Sequence, residues 1–229
     1  MARPKRHEET ISTIKEIARQ QMAVDGAAAL SLGAIARAMG LTTPALYRYF
    51  ANRDALVTEL ILDAYRDLSE ETATAVDGID ASAHRRRFRT LLDTYRRWAL
   101  KHPQDYVLIH GAVLPGYEAP VEQVALAAFG GLQLLISVLQ DADDAGLLRT
   151  PPAYRDTPPR IREALELLEG GFEGAAPPPH LLTLAFTTWL HLHGLVWQEI
   201  AGHLPPFLFD DGGLFELEIS ALTERLGLN

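Results

Sequence analysis

The 229-residue chain has no cysteine. That excludes disulfides, zinc–thiolate sites and cysteine nucleophiles, and it fits a reducing compartment such as the cytoplasm. Long apolar runs are also missing. No stretch reaches the ~18 uninterrupted apolar residues of a membrane span. The most apolar segment, 181–204, is broken by His191, His193, Gln198 and Glu199. Residues 1–10 are polar and charged and lack the apolar centre of a secretory signal. The alternating pattern of half-buried strands is absent. So are the Gly-x-Ser-x-Gly elbow, His-Glu-x-x-His, Gly-x-Gly-x-x-Gly and the phosphate-binding P-loop. The expectation is a protein of the cytoplasm that is not an enzyme and has no cofactor, no metal and no membrane partner. His191 and His193 do not alter this, because two positions along a helix turn them about 200° apart.

What is present is helical. Apolar residues make up 48% of the chain, enough for a sizeable core. They recur at helical spacing, as at Ile11, Ile14, Ile17, Ala18 and Met22. Further helices are predicted over 31–39, from 42 or 43 to 50, from 54 past Leu68, and over 85–101, 104–114, 121–140, 161–168, 181–203 and 214–226. Residues 150–159 and 170–179 read as loops. The fold class is therefore all-α. Charge is unevenly spread. The total is −9, yet residues 1–56 carry +3 and the remainder −12. A basic unit on an acidic body suits a protein that meets a polyanion at one end, although many acidic proteins carry a locally basic segment.

Two short helices joined by Gly40-Leu41-Thr42 have the dimensions of a helix-turn-helix. Ile35, Ala36, Leu41, Leu46 and Phe50 are its expected core. Ser31 and Thr42 or Thr43 are good helix N-caps, leaving free amides that can meet phosphates. Pro44 suits a first turn. Tyr47, Tyr49 and Arg53 carry donors that can reach a DNA backbone. Thr43, Pro44 and Ala45 lead the second helix and are short, so base reading is limited to methyl and ring contacts unless Arg48 reaches a base edge. Part of the specificity then falls to DNA shape. Arg3, Lys5 and Arg6 form either a minor-groove arm or a solubilising tail.

The run SLGAIARAMGLTTPALYRYFANRDAL, residues 31–56, closely resembles the DNA-binding segment of TetR-type regulators. The resemblance implies an all-α protein with a three-helix helix-turn-helix domain (1–56) and a larger helical ligand-binding and dimerisation domain (57–229). It also implies a homodimer on double-stranded operator DNA. By the same resemblance, Tyr47 and Arg53 fall where the family places a tyrosine and a lysine on phosphates. Gly33 falls where relatives can carry a long base-contacting side chain. The segment WLHLHGLVWQE, 189–199, is similar to a Trp…His-Gly helix of one subgroup.

Aromatic residues concentrate in the second region. A ligand pocket between helices is typically apolar with a few polar anchors. Tyr95, Trp98, His110, Phe129, Gln133, Trp189 and His193 are the candidates for such a pocket, with core packing as the alternative for each aromatic. Trp197, Ile200, Leu204, Leu217, Leu222 and Leu226 are candidates for the dimer interface or for the subunit core. The run Arg85-Arg86-Arg87 with Arg89 reads as a solvated helix start or interdomain contact. The function expected is a transcriptional repressor released from an inverted-repeat operator by a small apolar or aromatic effector. The alternatives are an enzyme and a helical binding protein without DNA contact.

Overall fold

A computed structural model describes residues 2–111, 115–155, 157–166, 172, 176–203, 205 and 212–228, with the backbone alone for residues 2–5 and 166. Among these residues all regular structure is helical and no strand occurs. Helix α1 spans Ala2–Asp25 and ends at Gly26, whose φ of +80° turns the chain into a short 3₁₀ segment, Ala27–Ala29. Helix α2 is Leu32–Ala38, α3 Thr43–Leu46, α4 Arg53–Asp77 and α5 His84–Lys101. Helix α6 is Pro103–His110, α7 Val121–Asp144, α8 Pro152–Arg155 and α9 Pro159–Glu166. Helix α10 is Pro179–Ile200 and α11 Gly213–Arg225.

Two differences from the sequence reading have local causes. α1 begins nine residues before Ile11, because its first turns contain no glycine and Pro4 lies in the first turn, where a missing N–H costs nothing. The loop expected over 150–159 contains the single turn α8, started by Pro152. The ends predicted at 114 and 168 lie outside the described residues.

The helices pack as two compact units. One comprises Met1–Asp67 and Lys101–Ala128, the other Leu68–Leu100 and Phe129–Asn229. In the first, Ile14, Ala18, Ile35, Leu46, Leu56, Val57 and Leu60 are all but inaccessible. Each large side chain so buried contributes about 1.5–3 kcal/mol. Around this core runs an ionic seam. Asp63 of α4 meets Lys15 Nζ at 2.8 Å, and Arg19 Nε of α1 meets Asp105 of α6 at 3.0 Å. In the second unit α5 buries Phe88, Leu91, Leu92, Tyr95, Trp98 and Ala99, a stripe at spacing three and four. Helix α7 is apolar and long enough to cross a membrane, but its C-terminal half, including Leu132, Leu135, Ile136 and Leu139, is packed inside this unit.

Candidate nucleic-acid interface

The geometry of the helix-turn-helix follows from its capping. Ser31 Oγ accepts from Ala34 N at 3.4 Å, and Ser31 N donates to Gln21 Oε1 at 3.0 Å, which fixes the start of α2 to α1. At the other end Leu41 N donates to Ala36 O at 2.9 Å and Gly40 N to Arg37 O at 3.1 Å. These are the paired bonds of a Schellman closure, and the φ of +65° at Gly40 is the left-handed conformation it requires. The closure turns Leu41 outward, so Leu41 is exposed and not part of the expected core. Leu30 fills that role, at 3% exposure.

α3 starts at Thr42 with Pro44 in its first turn. It is one turn long, and its inward side chain is Leu46, with Phe50 following. Anchoring those two leaves Thr42, Pro44, Tyr47 and Arg48 exposed, while Ser31 is exposed at the head of α2. Thr43, Ala45 and Tyr49 are half-buried. Tyr49 stacks on His7 of α1, ring centroids 4.9 Å apart. Arg37, exposed on the last turn of α2, adds a cation beside this surface that the sequence reading did not single out. Its signal was available, as a basic residue three positions before the glycine that closes the helix. The side chains of Arg3 and Lys5 lie outside the described residues, and Arg6 is exposed.

Arg53 has a different setting. Its Nε donates to Leu30 O at 3.1 Å, and its Nη2 to Ala27 O and Ala28 O at 3.2 and 3.3 Å. The guanidinium thus ties the first turn of α4 to the chain reversal between α1 and α2. Asn52 Oδ1 accepts from Ala55 N at 2.8 Å and caps the same helix.

In the second unit Tyr95, Trp189 and His193 pack together: Tyr95 stacks on His193 at 5.4 Å and meets Trp189 edge-on at 5.2 Å. Tyr95 and Trp98 are 0% and 1% exposed and belong to the core. Burial pushes the His193 imidazole down to about 4, so it is neutral at pH 7. Trp189 lies against Gly131 of α7, where a Cβ would sit 2.8 Å from the indole. On the same helix Phe129 meets Phe172 edge-on at 5.4 Å. Gln133 lines an open cavity of about 440 Å³ with Ile136, Gln140, Phe172 and Pro178. His110 belongs to the first unit, 4.8 Å from the Tyr106 ring and 6.0 Å from Tyr65.

Comparison with known proteins accounts for both regions. Residues 14–60 match the family described as bacterial regulatory proteins, tetR family. Residues 88–222 match the tetracyclin repressor-like C-terminal domain. The chain is 31% identical over 224 residues to the HTH-type transcriptional regulators Mb1846 of Mycobacterium bovis and Rv1816 of Mycobacterium tuberculosis, covering 96% of this chain and 93% of each relative. The crystal structure of a regulatory protein, SCO4313, superposes with a TM-score of 0.78 at 33% identity, over 98% of this chain and all of that one. A Rhodococcus sp. RHA1 protein of unknown function shares the fold, with a TM-score of 0.71 at 21% identity. With a capped helix-turn-helix at its N-terminal end and a helical region matched over 88–222, this chain belongs to the TetR family of DNA-binding transcriptional regulators.

Proposed function

We propose that the protein is a homodimeric repressor of the cytoplasm that leaves an inverted-repeat operator when a small, largely apolar or aromatic effector binds. The observation that carries the reading is the exposed row Thr42, Pro44, Tyr47 and Arg48 on a helix anchored by Leu46 and Phe50. Thr43, Pro44 and Ala45 enter the major groove and touch thymine methyls, and Arg48 reaches a base edge or phosphate. Ser31, Thr42, Tyr47 and Tyr49 donate to the backbone. Ser31 can do so while capping, because its oxygen accepts from Ala34 and its O–H remains free to donate. Arg53 serves the same surface by holding the reversal at 27–30.

The DNA-binding domain is residues 1–56 and the ligand and dimer domain 57–229. The packing of α4 spans that boundary, since Leu56, Val57, Leu60 and Ile61 join the core of the first region. The effector rests on α7 against Phe129 and Gln133, with Trp189 and His193 beyond Gly131 and the Tyr95–Trp98 face of α5 behind them. A ligand there shifts α7 and α4, whose single helix from Arg53 to Asp77 carries the displacement to the recognition helix. A coupling of about 1–3 kcal/mol weakens DNA binding roughly 5- to 150-fold, and DNA weakens effector binding by the same factor.

Selection of bound duplexes from a random pool tests the operator. Enrichment of two half-sites about one helical turn apart, in inverted orientation, is expected of a two-fold dimer. Enrichment of a lone half-site refutes it. Absence of salt-dependent duplex binding favours a helical binding protein that does not contact DNA.

A further inference from the structure

A second recess of the C-terminal region has no part in the reading above. It is an open recess of about 680 Å³ at the start of α5, lined by Ser82, His84, Arg85, Arg86, Arg89, Thr90 and Asp93. Leu147 and Leu228 supply apolar wall, with Ala83 and Gly227. We propose that this recess is a binding site for a small organic anion, a carboxylate or phosphate on a short apolar body that also carries a hydrogen-bond donor.

The charges point to the anion. Three guanidiniums line the recess against one carboxyl. Arg89 is held by Ser220 Oγ at 2.9 Å and Glu216 Oε2 at 2.5 Å. Arg85 and Arg86 have no carboxylate or carbonyl partner among the described residues, whereas Arg87, Arg89 and Arg96 of the same helix are all paired with acids. Two adjacent unpaired guanidiniums in a recess, in a chain of net charge −9, form a local positive site. Arginine forks bind carboxylate and phosphate oxygens in pairs. The first amides of α5 face the same end of the helix and have no carbonyl one turn back.

The uncharged features point to the rest of the ligand. His84 Nδ1 and Asp93 Oδ1 are both shielded from solvent without a hydrogen-bond partner. Buried polar atoms are normally satisfied, and leaving one unpaired costs about 1–3 kcal/mol. Those two atoms admit no solvent-sized neighbour, so a hydroxyl or amine on the ligand meets Asp93 through its other carboxylate oxygen, Oδ2, on the recess side. Burial, with the like charge of Glu216 adding to it, raises the Asp93 carboxyl from its ordinary value against the opposing pull of Arg89, Arg97 and Arg96. Leu147, half exposed beside the recess, covers the apolar body.

Mandelate and phenyl phosphate are the probes, at constant ionic strength, with neutral mandelamide as control and thermal unfolding of the full chain as readout. Either anion at ten times its Kd is expected to raise Tm by about 3–6 °C. Mandelate alone raising it assigns the site to carboxylates, and phenyl phosphate alone to phosphates. The double variant Arg85→Ala/Arg86→Ala is expected to lose the shift while keeping its own Tm, because both side chains are exposed. Leu147→Trp is expected to lose it too, by filling the recess with the arginines intact. Three results overturn the proposal: no shift with either anion, an equal shift with mandelamide, or an undiminished shift in both variants. Loss of shift in the arginine variant but not in Leu147→Trp leaves only a charged surface and also overturns it. So does weakened duplex affinity of the arginine variant with no anion response, which makes the patch a contact to DNA phosphates.

Discussion

Arg53 allows a role in the fold to be separated from a role on DNA. Replacing it with methionine keeps the aliphatic stem and removes three donor contacts, to Leu30 O, Ala27 O and Ala28 O. Hydrogen bonds to a charged donor contribute about 1.5–3 kcal/mol each when well shielded. Here the side chain is 26% exposed and Ala28 is at the surface, so water replaces part of the loss. The expected cost is about 2–3 kcal/mol in total, a fall in Tm of roughly 4–12 °C for a chain of this size. Arg53→Lys keeps the charge but cannot span several carbonyls with a planar fork, so it should recover less than half of that loss. Urea unfolding followed by circular dichroism measures both. The companion measurement is the salt dependence of duplex binding, whose slope falls by about 0.9 for each phosphate contact removed. With Nε and Nη2 committed to carbonyls, the slope should stay unchanged in both Arg53 variants; in Arg48→Ala a slope lower by about one contact assigns that side chain to a phosphate, and an unchanged slope with altered base preference assigns it to a base edge. A stable Arg53→Met protein whose slope drops by one contact would refute this account, because the guanidinium would then leave the carbonyls to reach DNA.

Three further outcomes are expected. Gly131→Ala places a methyl 2.8 Å from the Trp189 indole and should cost about 1–3 kcal/mol, read by thermal unfolding, whereas an unchanged Tm would mean the indole swings aside freely. Leu190 and Leu217, 67% and 64% exposed on α10 and α11, should tolerate glutamate in the fold yet yield monomers by light scattering. Leu222→Glu should unfold the chain, since Leu222 is 4% exposed within the subunit, and dimers that survive both surface changes would place the interface elsewhere. His193 is neutral when folded and takes up a proton on unfolding below its ordinary value of 6.5, so stability should fall with pH by about 1.4 kcal/mol per unit down to about pH 4. His193→Phe should remove about 1.6 kcal/mol of the difference between pH 6.5 and 5, and equal pH slopes in the two proteins would contradict this.

The DNA-binding half was legible because its signals are local. Ser31, Gly40 and Pro44 each act within four residues of their own position, through a cap, a left-handed turn and a first-turn proline, and the chain around them folds as those rules require. Leu41 departs from the expected core. It continues the apolar spacing of α2, but the closure at Gly40 turns it out and Leu30, from the preceding reversal, takes the interior place. The clamp made by Arg53 was also hidden, because its acceptors lie 23 to 26 residues away and are backbone carbonyls with no sequence signature. Among the dimer candidates the spacing of α11 could not tell a face turned to the subunit from one turned to solvent. Leu222 and Leu226 are buried in the subunit and Leu217 is exposed, while Leu204 lies outside the described residues.

The effector residues show why aromatic content alone marks a pocket poorly. An aromatic ring is valuable wherever about 150–250 Å² of apolar surface can be buried, and a core offers that as readily as a ligand does. Tyr95 and Trp98 are 0% and 1% exposed and pack in the core of their unit. Trp189 owes its position to an absence, the missing side chain of Gly131, which no reading of the tryptophan itself would reveal. What distinguishes Phe129 and Gln133 is their setting. Phe129 meets a ring from the segment before α10, and Gln133 opens on a cavity bounded by that segment. Phe172, Pro177 and Pro178 sit in a stretch whose composition predicts a loop, and binding residues are disproportionately carried on loops. The effector we propose would meet Phe172 and Pro178 first at Phe129 and Gln133, with the Trp189–His193–Tyr95 stack behind them. Selectivity should therefore follow the loop-side residues, and substitutions at Tyr95 or Trp98 should change stability before they change ligand preference.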